Sequence, residues 1–173
     1  MEKTYYFTDY NKVPGGNWPY ESGEYWQIDP QDACNDSITD YAEGFAANGE
    51  SLNFILTANN CPGTNLGAIS KVEVRGYIEV DDNCTVEFIF LPPGGGMSGF
   101  AYFTNVGPAW TNWYDITSFD TPFTWATVKD FDFLLQLVAK GVPEGRARAY
   151  AVEVRVTYTA AAITSPFPTF HQN

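Results

Sequence analysis

The sequence predicts an all-β fold: an antiparallel two-sheet β-sandwich of jelly-roll topology, with one short helix near 124–131 and extended N- and C-terminal arms. Three observations carry this. From Tyr150 to Thr159 the chain alternates strictly, with Tyr150, Val152, Val154, Val156 and Tyr158 on one side and Ala151, Glu153, Arg155, Thr157 and Thr159 on the other. Successive side chains of a strand point to opposite faces, so this is one long strand whose apolar face must be covered. Further β-branched and aromatic runs recur at intervals of roughly ten residues, with Gly, Pro and Asx turns between them, as in sandwiches and barrels. Aromatic residues are 17% of the chain and charged residues only 17%, which favours a packed β core over disorder. An immunoglobulin-like sandwich is the second choice of topology.

The 173 residues suit a single domain with one core. The sequence divides into an N-terminal arm (1–23), the sandwich (24–160) and a C-terminal tail (161–173). The arm contains Val13 to Gly23, VPGGNWPYESG, and a short strand over 4–8. Residues 24–28 are extended and anchor Trp26; 29–36 form a loop; 37–41 form a short strand. Leu52, Phe54 and Leu56 alternate within 50–57, so this is a strand, and 58–66 is turn chemistry throughout.

Residues 68–80 form the second long strand, with Val72, Val74, Ile78 and Val80 inward and Gly76 marking a bulge or a close backbone approach. Asp81-Asp82-Asn83 reads as a hairpin turn. The return strand, 85–91, points Val86, Phe88 and Phe90 inward. Residues 92–98 are a glycine-rich tip, and 99–104 and 110–116 are strands. Thr124 is an N-cap residue ahead of a helix-spaced segment. Strand 131–138, a turn over 140–145 and the long strand 146–160 complete the sandwich.

Val-Glu-Val-Arg occurs at 72–75 and again at 152–155. If the two long strands pair antiparallel about Val74 and Val154, Glu73 faces Arg155 and Arg75 faces Glu153. Such cross-strand pairs contribute roughly 0.2–1 kcal/mol each.

The net charge of −12 disfavours a nucleic-acid partner and an anionic membrane surface. No apolar run reaches the ~20 residues of a membrane-spanning helix, so membrane insertion is not expected. The chain opens on MEKTYYF without a basic region and apolar run. Either it lacks a signal peptide or it begins after a removed one. Cys34, Cys61 and Cys84 form no CxxC pattern; they are three thiols, or Cys34 and Cys61 bridge in an oxidising compartment.

No catalytic residue is predicted. The lone histidine, His171, lies in the tail, a position that argues against a catalytic histidine held rigidly between two partners. Nothing marks out two of the 21 acids as a glycosidase pair. No cofactor motif is present. Asp29, Asp32, Asp36 and Asp40 cluster in sequence and define the one candidate metal site, a structural calcium, against the alternative of a solvated acidic loop. Trp18, Tyr20, Trp110, Trp113 and Tyr114 fall in or near loops and are the candidate sugar-stacking rings.

Trp26-Gln-Ile-Asp29, Asn35-Asp36 followed by Tyr41, Phe54-Ile-Leu56, the strand Val72–Val80, Trp125-Ala-Thr-Val128-Lys-Asp-Phe131 and the closing Tyr150–Val152–Val154–Val156–Tyr158 alternation occur in this order. Over residues 24–159 this resembles the single-domain jelly-roll modules of tailed-phage and related virion proteins, and of secreted prokaryotic β-sandwich proteins. The resemblance implies a fold, and tasks ranging from capsid decoration and tail or fibre parts to filaments and carbohydrate binding. The expectation is a non-enzymatic, self-assembling structural protein of the virion surface, associating with its own copies and with other virion proteins. Its assembly residues are expected to be Tyr5, Tyr6 and Phe7 at one end and Ile163, Phe167, Pro168 and Phe170 at the other. The alternatives are an extracellular carbohydrate-binding module or adhesin and an extracellular filament subunit.

Overall fold

In the computed structural model, the long alternating segment is β11 (Gly145–Ala160), the central strand of the first sheet. The structure describes residues 1–10, 24–26, 28–47, 49–120, 122–141 and 144–161. In chain order the remaining strands are β1 (Glu2–Tyr6), β2 (Glu24–Tyr25), β3 (Ala42–Ala46), β4 (Ser51–Leu56), β5 (Gly67–Val80), β6 (Cys84–Leu91), β7 (Ser98–Phe103), β8 (Val106–Trp110), β9 (Tyr114–Asp115) and β10 (Asp132–Ala139). Helix α1 (Trp125–Asp130) precedes β10.

The first sheet runs β1-β11-β5-β8, with β3 extending the β1 side and β9 the β8 side; the second runs β2-β4-β10-β6-β7. All pairings are antiparallel except the two-residue pairing of β2 with β4. The order β1/β3-β11-β5-β8 facing β4-β10-β6-β7 is that of a jelly roll. Among the described residues, β6 and β7 are the only consecutive strands that pair with each other; the chain otherwise crosses between sheets or places a second short strand beside the same neighbour.

That topology corrects the turn at Asp81-Asp82-Asn83. Its local chemistry is as expected: the Asn83 N–H donates to Asp81 Oδ1 at 2.9 Å, an Asx turn. It joins β5 to β6, however, and these lie in different sheets. The turn is an arch over the core, held on the far side by the Arg146 N–H donating to Asp81 Oδ2 at 2.8 Å. Turn residues fix the reversal of the chain but not whether the two strands then pair or face each other.

Between the sheets lies a ring-rich core. Val72, Val74, Ile78 and Val80 of β5 meet Val86, Phe88 and Phe90 of β6, all at most 1% exposed. Phe88 and Phe133 pack edge-to-face at 5.1 Å, and Phe90 and Phe131 lie 5.2 Å apart; such pairs add about 0.5–1.5 kcal/mol beyond area burial. Gly76 is a close approach rather than a bulge, because a Cβ there would meet the Phe88 ring at 2.8 Å.

The bulge lies across the ladder. Ala149 pairs with Ile78 and Ala151 with Tyr77, leaving Tyr150 as the extra residue. A bulge resets the alternation. Tyr150, expected on the core side with Val152, instead packs on the outer face against Tyr41 and Tyr77.

Four further expectations change. Residues 37–41 are not a strand: the Ser37 N–H donates to Asn35 Oδ1 and the Thr39 N–H to Ser37 Oγ, and such local bonds compete with a ladder. The loop over 29–36 contains a 3-10 helix, Pro30–Cys34. The strand expected at 110–116 is divided between β8 and β9. Residues 2–6, placed in an arm, are the edge strand β1, paired from Glu2 opposite Thr157 to Tyr6 opposite Glu153. Helix α1 starts as expected, with Thr124 Oγ1 accepting from the Thr127 N–H at 3.1 Å and Thr127 Oγ1 accepting from the Thr124 N–H at 2.8 Å.

Candidate functional site

The Val-Glu-Val-Arg repeat forms the pairing anticipated from sequence. Val154 lies opposite Val74, Arg155 opposite Glu73 and Glu153 opposite Arg75. Arg155 Nε donates to Glu73 at 2.9 Å and Arg75 Nε to Glu153 at 2.7 Å. Lys71 also donates to Glu73 at 2.7 Å. Further along the same outer face, Arg148 bridges Glu43 at 2.6 Å and Glu79 at 3.0 Å, and the Tyr150 hydroxyl donates to Glu79 at 3.2 Å.

Aromatic rings cover this ladder. The Arg75 guanidinium lies 4.1 Å from the Trp110 ring centroid and 4.4 Å from that of Trp113; Arg155 lies 4.3 Å from Trp113, and Arg148 lies 4.5 Å from Tyr41. These are cation–π distances. Burial works to raise the Glu73 carboxyl, but the hydrogen bonds from Arg155 and Lys71 outweigh it and hold the group below its ordinary value. Burial opposes the charge on Arg148, and Glu43 and Glu79 more than restore it, raising its pKa.

The predicted site residues separate accordingly. Trp110 and Trp113 converge on Arg75, which takes part of the ring surface expected to serve a sugar. Tyr114 turns the other way, packing on Phe100 at 5.8 Å and Phe103 at 5.9 Å against the core. Trp18 and Tyr20 lie outside the described residues.

Tyr5 and Phe7, expected to dock on a neighbour, are 7% and 0% exposed within their own domain; Phe7 packs edge-on to Phe131 at 5.7 Å. Tyr6 is half-buried on β1. The apolar side chains of this end are therefore used internally. Ile163, Phe167, Pro168 and Phe170 lie outside the described residues.

Asp29, Asp32, Asp36 and Asp40 do not assemble a calcium site. Among the described residues no three His, Cys, Asp or Glu side chains converge to hold a metal ion. Asp29 and Asp36 adopt positive φ, 46° and 57°, and Asp32 is raised above its ordinary value by burial and then by the charges of Asp29 and Asp40. No disulfide links Cys34 to Cys61. Burial raises the Cys61 thiol, and burial followed by the nearby Asp81 pushes Cys84 up to about 12. Neither is a ready nucleophile, because the thiolate is the reactive form.

One feature was not legible in the sequence. At the end of the sandwich where β5 begins, a cleft of about 360 Å³ opens between Gly63–Ile69 and Phe123–Ala126. Trp125 forms part of its wall, fixed by donation from Nε1 to the Gly67 carbonyl at 2.7 Å and by edge-on contact with Tyr158 at 5.0 Å. The end of β11 lies at the same place: Ala160 pairs with Gly67, and the Ala161 N–H donates to the Leu66 carbonyl at 3.2 Å. The tail that was predicted to carry assembly thus departs beside the cleft.

No helix among the described residues is long and apolar enough to cross a membrane. In comparisons with known proteins, the chain matches no family model and no curated sequence.

Proposed function

We propose that this protein is a non-enzymatic structural subunit that associates with copies of itself through its C-terminal tail, as a virion component such as a capsid decoration or tail-associated protein. The observation that carries the reading is the root of the tail. A segment with two phenylalanines and no Asp, Glu, Lys or Arg over 162–173 continues from the central strand of the first sheet and is pinned at Ala161. An uncharged segment carrying two phenylalanines, on a root held to the sheet by that hydrogen bond, is suited to packing on another subunit, a low-cost route to closed or filamentous assemblies. The N-terminal residues Tyr5 and Phe7 have no part in this, since their own core holds them.

Sedimentation velocity over a range of concentrations tests the reading. The full chain should associate, and a chain ending at Ala161 should remain monomeric with an unchanged melting temperature. Identical association by both forms removes the tail's role. Antibody labelling of intact particles checks the virion assignment.

A second reading, an extracellular carbohydrate-binding module or adhesin, is favoured by the convergence of Trp110 and Trp113 on one outer face. Glycan-array binding lost in Trp113→Ala supports it; absence of any glycan signal from the intact chain removes it.

A further inference from the structure

We infer that the row of rings crossing the outer face of the first sheet binds a neutral oligosaccharide several sugar units long. The inference rests on the carbohydrate-binding reading and deepens it, by naming the extent of the site and the class of glycan.

The fold builds the row. Tyr41 lies just before β3, Tyr150 on β11, Tyr77 on β5 and Trp110 on β8. Ring centroids step by 5.3 Å from Tyr41 to Tyr150, 5.1 Å to Tyr77 and 5.4 Å to Trp110, close to the spacing of about 4.8 Å between paired strands. The bulge in β11 completes the row, because unbroken alternation would turn Tyr150 to the core side and leave a gap between Tyr41 and Tyr77. Bulges that re-aim a side chain recur beside functional sites. Trp113 continues the row past Trp110, on the other side of Arg75.

The exposed part of the row is both apolar and polar. Tyr41, Tyr77, Trp110 and Trp113 are half-buried. Among the described residues, the hydroxyls of these two tyrosines and the ring N–H groups of these two tryptophans have no hydrogen-bond partner, and none of the four is buried. Arg75 and Arg155 cover part of Trp113, so a ligand meets its remaining edge and its N–H. Ring bodies with unpaired polar tips fit a chain that alternates C–H surface with hydroxyls, as linked sugars do. The rings are also fixed before a ligand arrives. Arg75 is held by Glu153 beneath Trp110 and Trp113, and Arg148 by Glu43 and Glu79 beneath Tyr41, which lowers the ordering cost of binding.

Charge selects the kind of sugar. Arg75, Arg155 and Arg148 are each already paired with a carboxylate, so the row carries no surplus positive charge. The chain as a whole carries −12 and repels an acidic glycan. A neutral glycan meets no such barrier.

The test titrates the 15N-labelled full chain with neutral gluco-, manno- and galacto-oligosaccharides, from mono- to hexasaccharide, and with a hyaluronan hexasaccharide as the acidic counterpart. Affinity for a neutral series should rise with chain length. The indole N–H signals of Trp110 and Trp113 should move, while that of Trp125, bonded to the Gly67 carbonyl, should stay. Tyr41→Ala and Trp110→Ala, apart along the row, should each weaken the hexasaccharide about tenfold at an unchanged melting temperature; the signals of the intact chain decide the matter if either variant fails to fold. Signal changes confined to residues outside the row, equal affinity for mono- and hexasaccharide, or tighter binding of the hyaluronan fragment each overturn the row assignment and leave carbohydrate binding standing. No signal change with any of these sugars and no binding on a glycan array remove the carbohydrate reading as well.

Discussion

The outer face of the first sheet carries Lys71, Glu73, Arg75, Glu79, Arg148, Glu153 and Arg155, paired with one another and partly covered by rings. The outer face of the second sheet carries Ile55, Leu134 and Ile89 side by side across β4, β10 and β6, with Leu91 next to them. Ile89 and Leu134 are each 1% exposed although they point away from the core between the sheets. An antiparallel sheet commonly has one face on the core and one in water. The first sheet follows this rule through charged side chains that satisfy one another; the second has apolar side chains buried on both faces. The comparison teaches that alternation identifies the core side of a strand, while the character of the other side is set by what that side meets.

The largest expected effect lies on the second sheet. Leu134→Ala should destabilise the fold by about 2–5 kcal/mol, the cost of removing a buried leucine, measured by urea denaturation. A loss under about 0.5 kcal/mol, ordinary for a surface position, would show that this outer row behaves like a surface.

On the first sheet, Arg155→Met should cost about 1–3 kcal/mol, because Glu73 keeps Lys71 but loses its second partner while buried. The pH dependence has a definite sign. The folded Glu73 pKa is below its ordinary value of 4.5, so the unfolded chain binds the proton first. Its stabilisation is present above about pH 4.5 and is lost as pH falls through the folded value. The Arg155→Met and parent stability curves should therefore converge in acid, and a constant difference down to pH 2 would contradict the assignment.

Asp132 sharpens the contrast, since it pairs with Leu91 at the edge of the apolar row and burial raises its pKa to about 6. Here the folded state holds the proton more tightly, so stability declines as pH rises from about 4 through about 6. Asp132→Asn should stabilise by about 1–2 kcal/mol at pH 7, discounted because solvent still reaches the group, and the gain should vanish near pH 3. Thermal melts at the two pH values check this. The smallest effect is the charge pair at the first sheet's surface: a double-mutant cycle on Arg75 and Glu153 should return about 0.5–1 kcal/mol of coupling.

Legibility in the sequence followed the range of the interactions. The β5 and β11 register about Val74 and Val154 could be read because both strands carry the same four residues, and antiparallel pairing then sets each glutamate against an arginine. Helix α1 could be read because its capping partners are three residues apart. The calcium site could not be judged, because closeness in sequence does not make four aspartates converge. The cleft could not be found, because its walls come from residues about sixty positions apart, and no local pattern marks either wall as facing the other.

The sequence by itself determined strands β4, β5, β6, β7, β10 and β11, the inward residues of β4, β5 and β6, and the charge pairs of the two longest strands, because side-chain alternation is a property of each strand alone. Only the tertiary structure decided that the 81–83 turn arches over the core, that Tyr150 faces outward, that Tyr5 and Phe7 are internal and that the tail leaves beside a cleft. The physical reason is that each of these depends on which distant segment fills the space beside a residue, and that is settled when the two sheets pack together.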